Sequence, residues 1–169
     1  MKALIVVDTQ EVLVNFKDNN QAVKNIKEVV KHYRSKNLPI IFTQHLEDNP
    51  EGFFFKGKDD VKIIDELVED DVIVTKSTPS IFKNTDLDSI LKGKGVTDIS
   101  IVGFNTEYCC MFSAIAAFDR GYNVTFIEDA CASANDDTTY EMPGLDINDF
   151  VGTVLDWSSV INVIYTEEL

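Results

Sequence analysis

The sequence has few of the residues that build metal sites and disulfide frameworks. Its two histidines, His32 and His45, stand far apart, and its three cysteines form no CxxC pair. An odd number of cysteines in a chain without an export signal does not indicate a disulfide framework. We therefore expect neither structural disulfides nor a structural zinc site.

Long apolar runs are also absent. The first apolar run covers only residues 3–7, which is too short for the core of a signal peptide or for a membrane span. No other run approaches the length of about 20 residues that a membrane helix needs. We therefore expect a cytoplasmic protein without a membrane partner.

Positive charge is scarce. Fifteen Lys and Arg residues against 29 Asp and Glu residues give a formal net charge of −14. This balance favours solubility and argues against nucleic acid or an anionic membrane as the main partner. A small-molecule substrate remains as the expected partner.

What the chain does contain is a series of short apolar runs rich in β-branched residues. The runs are nearly continuous and do not alternate strictly with polar residues, which is typical of strands buried on both faces of a parallel sheet. The six predicted strands cover residues 3–7, 38–42, 72–75, 99–103, 124–127 and 160–165.

Helical stretches separate these strands. The alternation predicts a three-layer α/β/α sandwich with a six-stranded, mainly parallel sheet and right-handed crossovers. The length suits a single domain over residues 1–169, and no repeat or linker interrupts it. The predicted helices cover residues 19–36, 59–69, 85–93, 106–120 and 145–158.

Polar side chains follow several of these strands. Ligands in open α/β sheets bind in the crevice beyond the carboxyl ends of the strands, so these side chains are the candidates for a site. Strand ends are commonly polar, but a carboxylate, an ammonium and a thiol at one edge form a more specific set. In strand order the residues are Asp8, then Gln44 and His45, Lys76, Cys109, and Glu128 with Asp129.

Cys109 is the candidate nucleophile. With Asn105 or Thr106 as the N-cap, Cys109 falls in the first turn of a helix, where the helix dipole and free N–H groups favour a thiolate. A lysine would lower the thiol pKa further, and a carboxylate could accept and return its proton. The alternatives are a buried core cysteine, a turn-capping Asp8 and a solvated Lys76.

Four motifs resemble those of the isochorismatase-like cysteine hydrolases, a family that includes nicotinamidases. Residues 6–10 (VVDTQ) resemble the opening strand with its D-x-Q. Residues 76–87 (KSTPSIFKNTDL) resemble K-x-x-x-S-x-F-x-x-T-x-L, and residues 103–110 (GFNTEYCC) resemble G-x-x-T-x-x-C-V. Residues 116–130 resemble A-x-x-x-G-Y-x-V-x-x-x-x-D-A. The order and spacing of the four cover nearly the whole chain.

The resemblance implies a catalytic triad. Asp8 would be the general base and acid, Lys76 would stabilise the thiolate, and Cys109 would attack a carbonyl carbon. The family commonly has a cis peptide bond at this turn, which falls here on Phe104–Asn105. The backbone N–H groups of Asn105 and Cys109 would then form the oxyanion hole. We interpret the neighbouring Cys110, and Cys131, as structural.

One departure from the family concerns metal. The nicotinamidases bind a metal through D-x-H after the second strand and a further histidine downstream. Here His45 and Glu47 occupy the places of the aspartate and the histidine, and no histidine follows. This is a thin ligand set for zinc, so we predict no metal and no other cofactor, and we do not expect nicotinamide to be the substrate.

The substrate pocket is expected to include Gln10, His45, Phe53, Phe54 and Phe55. His45 would line it as a hydrogen-bonding group or simply end its strand. Three consecutive phenylalanines in a loop suit a cover over a planar or apolar substrate. They would equally suit the core or a second subunit, since the family commonly forms homodimers or homotetramers.

We expect Phe150 and Trp157, in the last helix, to pack in the core.

The predicted function is a metal-independent cysteine hydrolase that cleaves a small amide or carbamoyl-type C–N bond through a thioester. One alternative is vinyl-ether hydrolysis of the isochorismatase type, for which the cysteine is not needed. Another is a non-enzymatic, flavodoxin-like binding module, which the lack of glycine in residues 8–16 disfavours.

Overall fold

A computed structural model describes all 169 residues and contains one six-stranded sheet. All five strand pairs are parallel, and the strand order is β3-β2-β1-β4-β5-β6. The predicted α/β sandwich is therefore confirmed, and its sheet is entirely parallel. The strands are β1 (Lys2–Val7), β2 (Ile40–His45), β3 (Val72–Lys76), β4 (Asp98–Phe104), β5 (Asn123–Ala132) and β6 (Ile161–Ile164).

The sheet is covered on both faces, which is why its central strands are continuous apolar runs. Every residue from Ala3 to Val7 in β1 is fully buried. Alternate residues of β1 belong to two separate core clusters, one containing Ile5 and the other containing Leu4. These two cores form the two interfaces of a three-layer structure.

Five α-helices supply the outer layers. Buried residues of α1 and α2 belong to the core that contains Leu4, and those of α3, α4 and α5 belong to the core that contains Ile5. None of the helices is both long enough and apolar enough to cross a lipid bilayer. The helices are α1 (Glu11–Val14), α2 (Asn20–Ser35), α3 (Leu87–Gly93), α4 (Met111–Phe118) and α5 (Ile147–Trp157).

The helix predicted over residues 59–69 is wrong. Only a short 3₁₀ turn, Asp59–Val61, forms there. The backbone that follows pairs with the segment after β1 instead: the Glu11 N–H donates to the Lys62 carbonyl, and the Ile64 N–H donates to the Thr9 carbonyl. Backbone groups used across the chain in this way are not available for an α-helix.

The end of the fifth strand also differs from the prediction. Residues 128 and 129 lie inside β5, which continues to Ala132. Tyr165 donates its hydroxyl hydrogen to Glu128, at 3.1 Å. Asp129 accepts hydrogen bonds from the backbone N–H and hydroxyl of Thr166, both at 2.8 Å. These carboxylates therefore anchor the C-terminal segment.

The prediction that Phe150 and Trp157 pack in the core is wrong as well. Trp157 is 81% exposed and Phe150 is 58% exposed. The buried face of α5 contains Val151 and Leu155, which are spaced by four residues. Phe150 and Trp157 lie outside that helical stripe and leave an apolar surface uncovered.

Candidate active site

The candidate site lies beyond the carboxyl ends of β1 and β4. These neighbouring strands connect to opposite sides of the sheet, and ligands in open α/β sheets bind in the crevice outside the strand ends at such a point. Gly103 allows the two ends to approach: its φ is +123°, and a Cβ at this position would lie 2.0 Å from the Val7 carbonyl oxygen. Only glycine fits this conformation and this distance.

Asp8 follows β1 directly and is completely buried. Its φ of 45° is unusual for a residue other than glycine, and such backbone conformations cluster at functional sites. The Thr43 hydroxyl donates to Asp8 Oδ1 at 2.7 Å, and the Asp8 N–H donates to the Thr43 carbonyl at 3.2 Å. Thr43 thus orients the carboxylate.

Lys76 ends β3, two strands away from β1, and its long side chain reaches the same crevice. Its Nζ lies 2.6 Å from Asp8 Oδ2 and 3.3 Å from Cys109 Sγ. It also donates to the Thr78 carbonyl at 3.1 Å. The structure therefore brings the three residues of the predicted triad together, with the ammonium between the carboxylate and the thiol.

Cys109 is positioned by a π-helical turn, Thr106–Cys110, that leads into α4. The Cys110 N–H donates to the Asn105 carbonyl at 3.1 Å, and the Phe104–Asn105 peptide bond is cis, as the resemblance implies. The Asn105 side chain does not cap the helix; its oxygen accepts the Ala134 N–H at 2.9 Å. A π-helical turn inside a helix frequently marks a functional site.

The surroundings of Cys109 favour the neutral thiol, and not the thiolate with a lowered pKa that was expected from the sequence. Burial and the Asp8 carboxylate raise the pKa of Cys109 to about 12, against the opposing effect of Lys76. Burial alone would lower the pKa of Lys76, but the neighbouring Asp8 and Cys109 raise it above its ordinary value. The Lys76 ammonium is thus retained, and Asp8 is the group able to take the thiol proton.

One set of side chains has the spacing of metal ligands. Asp8, His45 and Cys109 offer atoms that lie within 4.8 Å of one another. The Lys76 ammonium is within hydrogen-bond distance of all three, so it supplies the positive charge at this position. Glu47 accepts the Phe54 N–H at 2.7 Å and lies outside this set. The absence of a metal stays a prediction.

The loop after β2 brings one of the three phenylalanines to the site. The Phe54 ring stacks on the His45 ring, with a centroid distance of 4.4 Å and an interplanar angle of 22°. Phe53 packs edge-on against Phe54 and Phe16. Phe55 lies against Gly57. An aromatic cluster therefore extends from His45 through Phe54 and Phe53 to Phe16.

Gln10 has a different place from the one expected. It is fully buried, and its amide bridges the ends of β1 and β2. It accepts the His45 N–H at 2.8 Å and donates to the His45 carbonyl at 3.0 Å and to the Val61 carbonyl. Gln10 therefore fixes the backbone of His45, and its side chain is too buried to line a substrate pocket.

Cys110 and Cys131 are both fully buried, in line with a structural role, and all three cysteines are free thiols. Sequence reasoning missed Thr43 and the Thr78 carbonyl. Thr43 is the last buried residue of β2 and its first polar one, so in the sequence it looks like an ordinary strand end. A backbone carbonyl leaves no signal in the sequence.

Comparison with known proteins gives a consistent family. The family model for the isochorismatase domain matches residues 2–159. The uncharacterized isochorismatase family protein YrdC of Bacillus subtilis is 28% identical, over 95% of both chains. The ureidoacrylate amidohydrolase RutB of Yersinia enterocolitica is 28% identical, over 96% of this chain and 88% of its own.

A solved structure agrees with these relatives. The crystal structure of a cysteine hydrolase from Pseudomonas syringae pv. phaseolicola superimposes with a TM-score of 0.84 and 26% identity. The match covers 99% of this chain and 89% of that chain. The similarity thus extends over the whole sheet, including every strand end that contributes to the site.

Proposed function

Since the chain belongs to the isochorismatase family of hydrolases, which has amidohydrolase members, we propose that it is a metal-independent cysteine hydrolase. It cleaves a small amide or carbamoyl-type C–N bond through a thioester intermediate. The observation that carries the proposal is the position of Lys76 Nζ, 2.6 Å from the Asp8 carboxylate and 3.3 Å from the Cys109 sulfur.

The first half of the reaction forms the thioester. Asp8 accepts the proton of the Cys109 thiol as the sulfur attacks the carbonyl carbon, and Lys76 stabilises the charge that develops on sulfur. The backbone N–H groups of Asn105 and Cys109 hold the oxyanion. When the C–N bond breaks, Asp8 returns the proton to the nitrogen, and ammonia or an amine leaves.

The second half restores the enzyme. Asp8, again a carboxylate, removes a proton from a water molecule that attacks the thioester carbonyl. The C–S bond breaks, and the proton on Asp8 returns to the sulfur of Cys109. The products are a carboxylic acid or a carbamate and the free thiol, so each proton removed in one step is used in the next.

Two observations support metal independence. The family's metal position after β2 is occupied by His45 and Glu47, and Glu47 is engaged with its own loop. The ammonium of Lys76 provides the positive charge that a metal would otherwise supply, and it lies beside Asp8, His45 and Cys109. We therefore propose substrates other than nicotinamide.

The proposal is tested with purified protein and a panel of small amides, ureido acids and nicotinamide, by following ammonia release before and after treatment with a chelator. We expect turnover of at least one amide or ureido compound, no loss of rate after chelation, and no turnover by Cys109→Ala. Cys110→Ala is the matched control and should retain activity, because that thiol lies in the core.

Three outcomes contradict the proposal. Full activity in Cys109→Ala would show that Cys109 is not the nucleophile. Activity that is lost on chelation and restored by zinc would show that the enzyme depends on a metal. A vinyl ether is assayed in parallel by chromatography, and its cleavage without turnover of any amide would favour the alternative chemistry of the family.

We also propose a cytoplasmic homo-oligomer, a dimer or tetramer. Three buried free thiols suit a reducing compartment. The exposed apolar surface of α4 and α5, which includes Phe112, Phe150 and Trp157, suits contact with a second copy. Light scattering at several protein concentrations tests the oligomer, with Trp157→Glu as the comparison. The proposal would be contradicted if wild type, like Trp157→Glu, were a monomer at every concentration.

A further inference from the structure

The Lys76 ammonium has a fourth neighbour that the proposed reaction does not use. Its Nζ lies 3.1 Å from Nδ1 of His45, a distance typical of a hydrogen bond. The other three neighbours are the Asp8 carboxylate, the Thr78 carbonyl and the Cys109 sulfur. His45 therefore shares the ammonium with the triad.

This contact determines the protonation of the imidazole. An ammonium group only donates hydrogen bonds, so the Nδ1 atom that faces it must be the acceptor. A neutral imidazole with an unprotonated Nδ1 carries its hydrogen on Nε2. The hydrogen bond of the ring within the protein is the one at Nδ1. His45 is only partly buried, so its Nε2–H is open to hydration.

The electrostatic surroundings agree with a neutral ring. Burial and the Lys76 charge lower the pKa of His45, against the opposing effects of Asp8 and Glu47. These are the charged groups that face the ring from the ends of β1 and β3 and from its own loop, and Cys109 adds a neutral thiol from the helix side.

Two neighbouring side chains hold His45 in place, one through its backbone and one through its ring. The buried Gln10 amide clamps the His45 backbone on both its N–H and its carbonyl side, at 2.8 and 3.0 Å. Phe54 stacks on the imidazole face at 4.4 Å. This arrangement restricts both the position and the rotation of the ring.

We propose that His45, as the neutral Nε2–H tautomer, is a positioning residue whose Nδ1 lone pair holds the Lys76 ammonium beside Cys109. Without this acceptor, the strongest remaining attraction draws Nζ towards Asp8 and away from the sulfur. The thiolate of Cys109 is then less stabilised. The inference rests on the proposed function for its catalytic meaning, and its test does not need a substrate.

The test compares alkylation of Cys109 by iodoacetamide at pH 7.5, with the site mapped by mass spectrometry, in wild type and two variants. His45→Phe keeps a flat ring for Phe54 and removes both nitrogens. His45→Asn places an amide oxygen near the position of Nδ1. We expect His45→Phe to react at least threefold more slowly than wild type, and His45→Asn to stay within about twofold of it.

Three further measurements complete the design. His32→Phe changes the other histidine, which lies on α2, and should leave the rate unchanged. Nitrogen-15 NMR of the labelled protein, with His32→Phe for assignment, should show Nδ1 of His45 unprotonated and Nε2 protonated at pH 7. Unfolding curves confirm that each variant is folded.

The proposal is overturned if folded His45→Phe alkylates at the wild-type rate, if His45→Asn is slowed as much as His45→Phe, or if the NMR spectrum shows the proton on Nδ1. Failure of the proposed function gives a different pattern. In that case wild type would cleave no member of the substrate panel, while the alkylation rates would still differ as predicted.

Discussion

Asp8 and Asp129 are acidic residues in matching contexts of the sequence, each after an apolar run, but their surroundings in the fold differ. Asp8 faces an ammonium and a thiol from other strand ends, whereas Asp129 binds Thr166 and Asn25 and anchors the C-terminal segment and α2. The difference comes from topology. The chain turns to opposite sides of the sheet after β1 and β4, which is the point where open α/β sheets bind ligands, whereas Asp129 lies within β5.

The largest expected effect separates the two carboxylates by function. Asp8→Asn removes the proton acceptor, so we expect kcat/KM for the best substrate of the panel to fall by about 10³-fold. Asp129→Asn should keep activity within about twofold and lower the free energy of unfolding by about 1–2 kcal/mol, because it weakens the hydrogen bonds to Thr166. Equal losses of activity in the two variants would contradict the comparison.

A second prediction compares the glycines of the two regions. Gly103→Ala places a Cβ 2.0 Å from a backbone oxygen at a φ of +123°, and we expect it to lower the free energy of unfolding by about 3 kcal/mol. In Gly152→Ala the Cβ would lie 1.9 Å from Oε2, 2.6 Å from Cδ and 3.1 Å from Cγ of Glu128. These atoms belong to a flexible side chain, which can move more easily than backbone.

Alanine also has the higher helix propensity within α5, by about 1 kcal/mol, so Gly152→Ala should change the free energy of unfolding by less than about 1 kcal/mol. Urea titration monitored by circular dichroism measures both glycine variants. A similar loss of unfolding free energy in the two variants would show that Gly103 is not required for the close approach of β1 and β4.

The smallest effect concerns Glu128. Burial raises its pKa, so the folded state favours the protonated form. The resulting stability is fully present below the ordinary value of 4.5 and is lost as pH rises through the folded pKa. Glu128→Gln imitates the protonated form and can still accept from Tyr165.

We therefore expect Glu128→Gln to melt about 1–3 °C above wild type at pH 7, with the difference vanishing near pH 4. Thermal unfolding at both pH values measures this. A lower melting temperature at pH 7 would show that Glu128 is stabilised as a carboxylate.

Much of the fold was accessible from the sequence because the β-branched runs and their spacing reflect burial on two faces. All six strands lie where they were predicted, within a few residues, except that β5 extends to Ala132. The prediction of a helix over residues 59–69 was wrong for a physical reason. Its apolar residues are buried by a backbone paired with residues 9–11, and helical periodicity does not reveal pairing partners.

The candidate site could be anticipated in part. The predicted strand ends identified Asp8, Lys76 and Cys109 as candidates. The family resemblance then implied that the three form one catalytic triad. The contact between His45 and Lys76, and the orientation of Asp8 by Thr43, depend on distances across neighbouring strands. Those distances follow from strand order and register, which a single sequence does not encode in a readable form.

The most direct test of the account is the alkylation rate of Cys109 by iodoacetamide at pH 7.5 in wild type, Asp8→Asn and Lys76→Met. Asp8 raises the thiol pKa and Lys76 lowers it. We predict that Asp8→Asn reacts about tenfold faster than wild type while losing turnover, and that Lys76→Met reacts more slowly than wild type. Equal rates in the three proteins, or alkylation first at Cys110 or Cys131, would contradict the assignment of Cys109 as the nucleophile with Asp8 as its base.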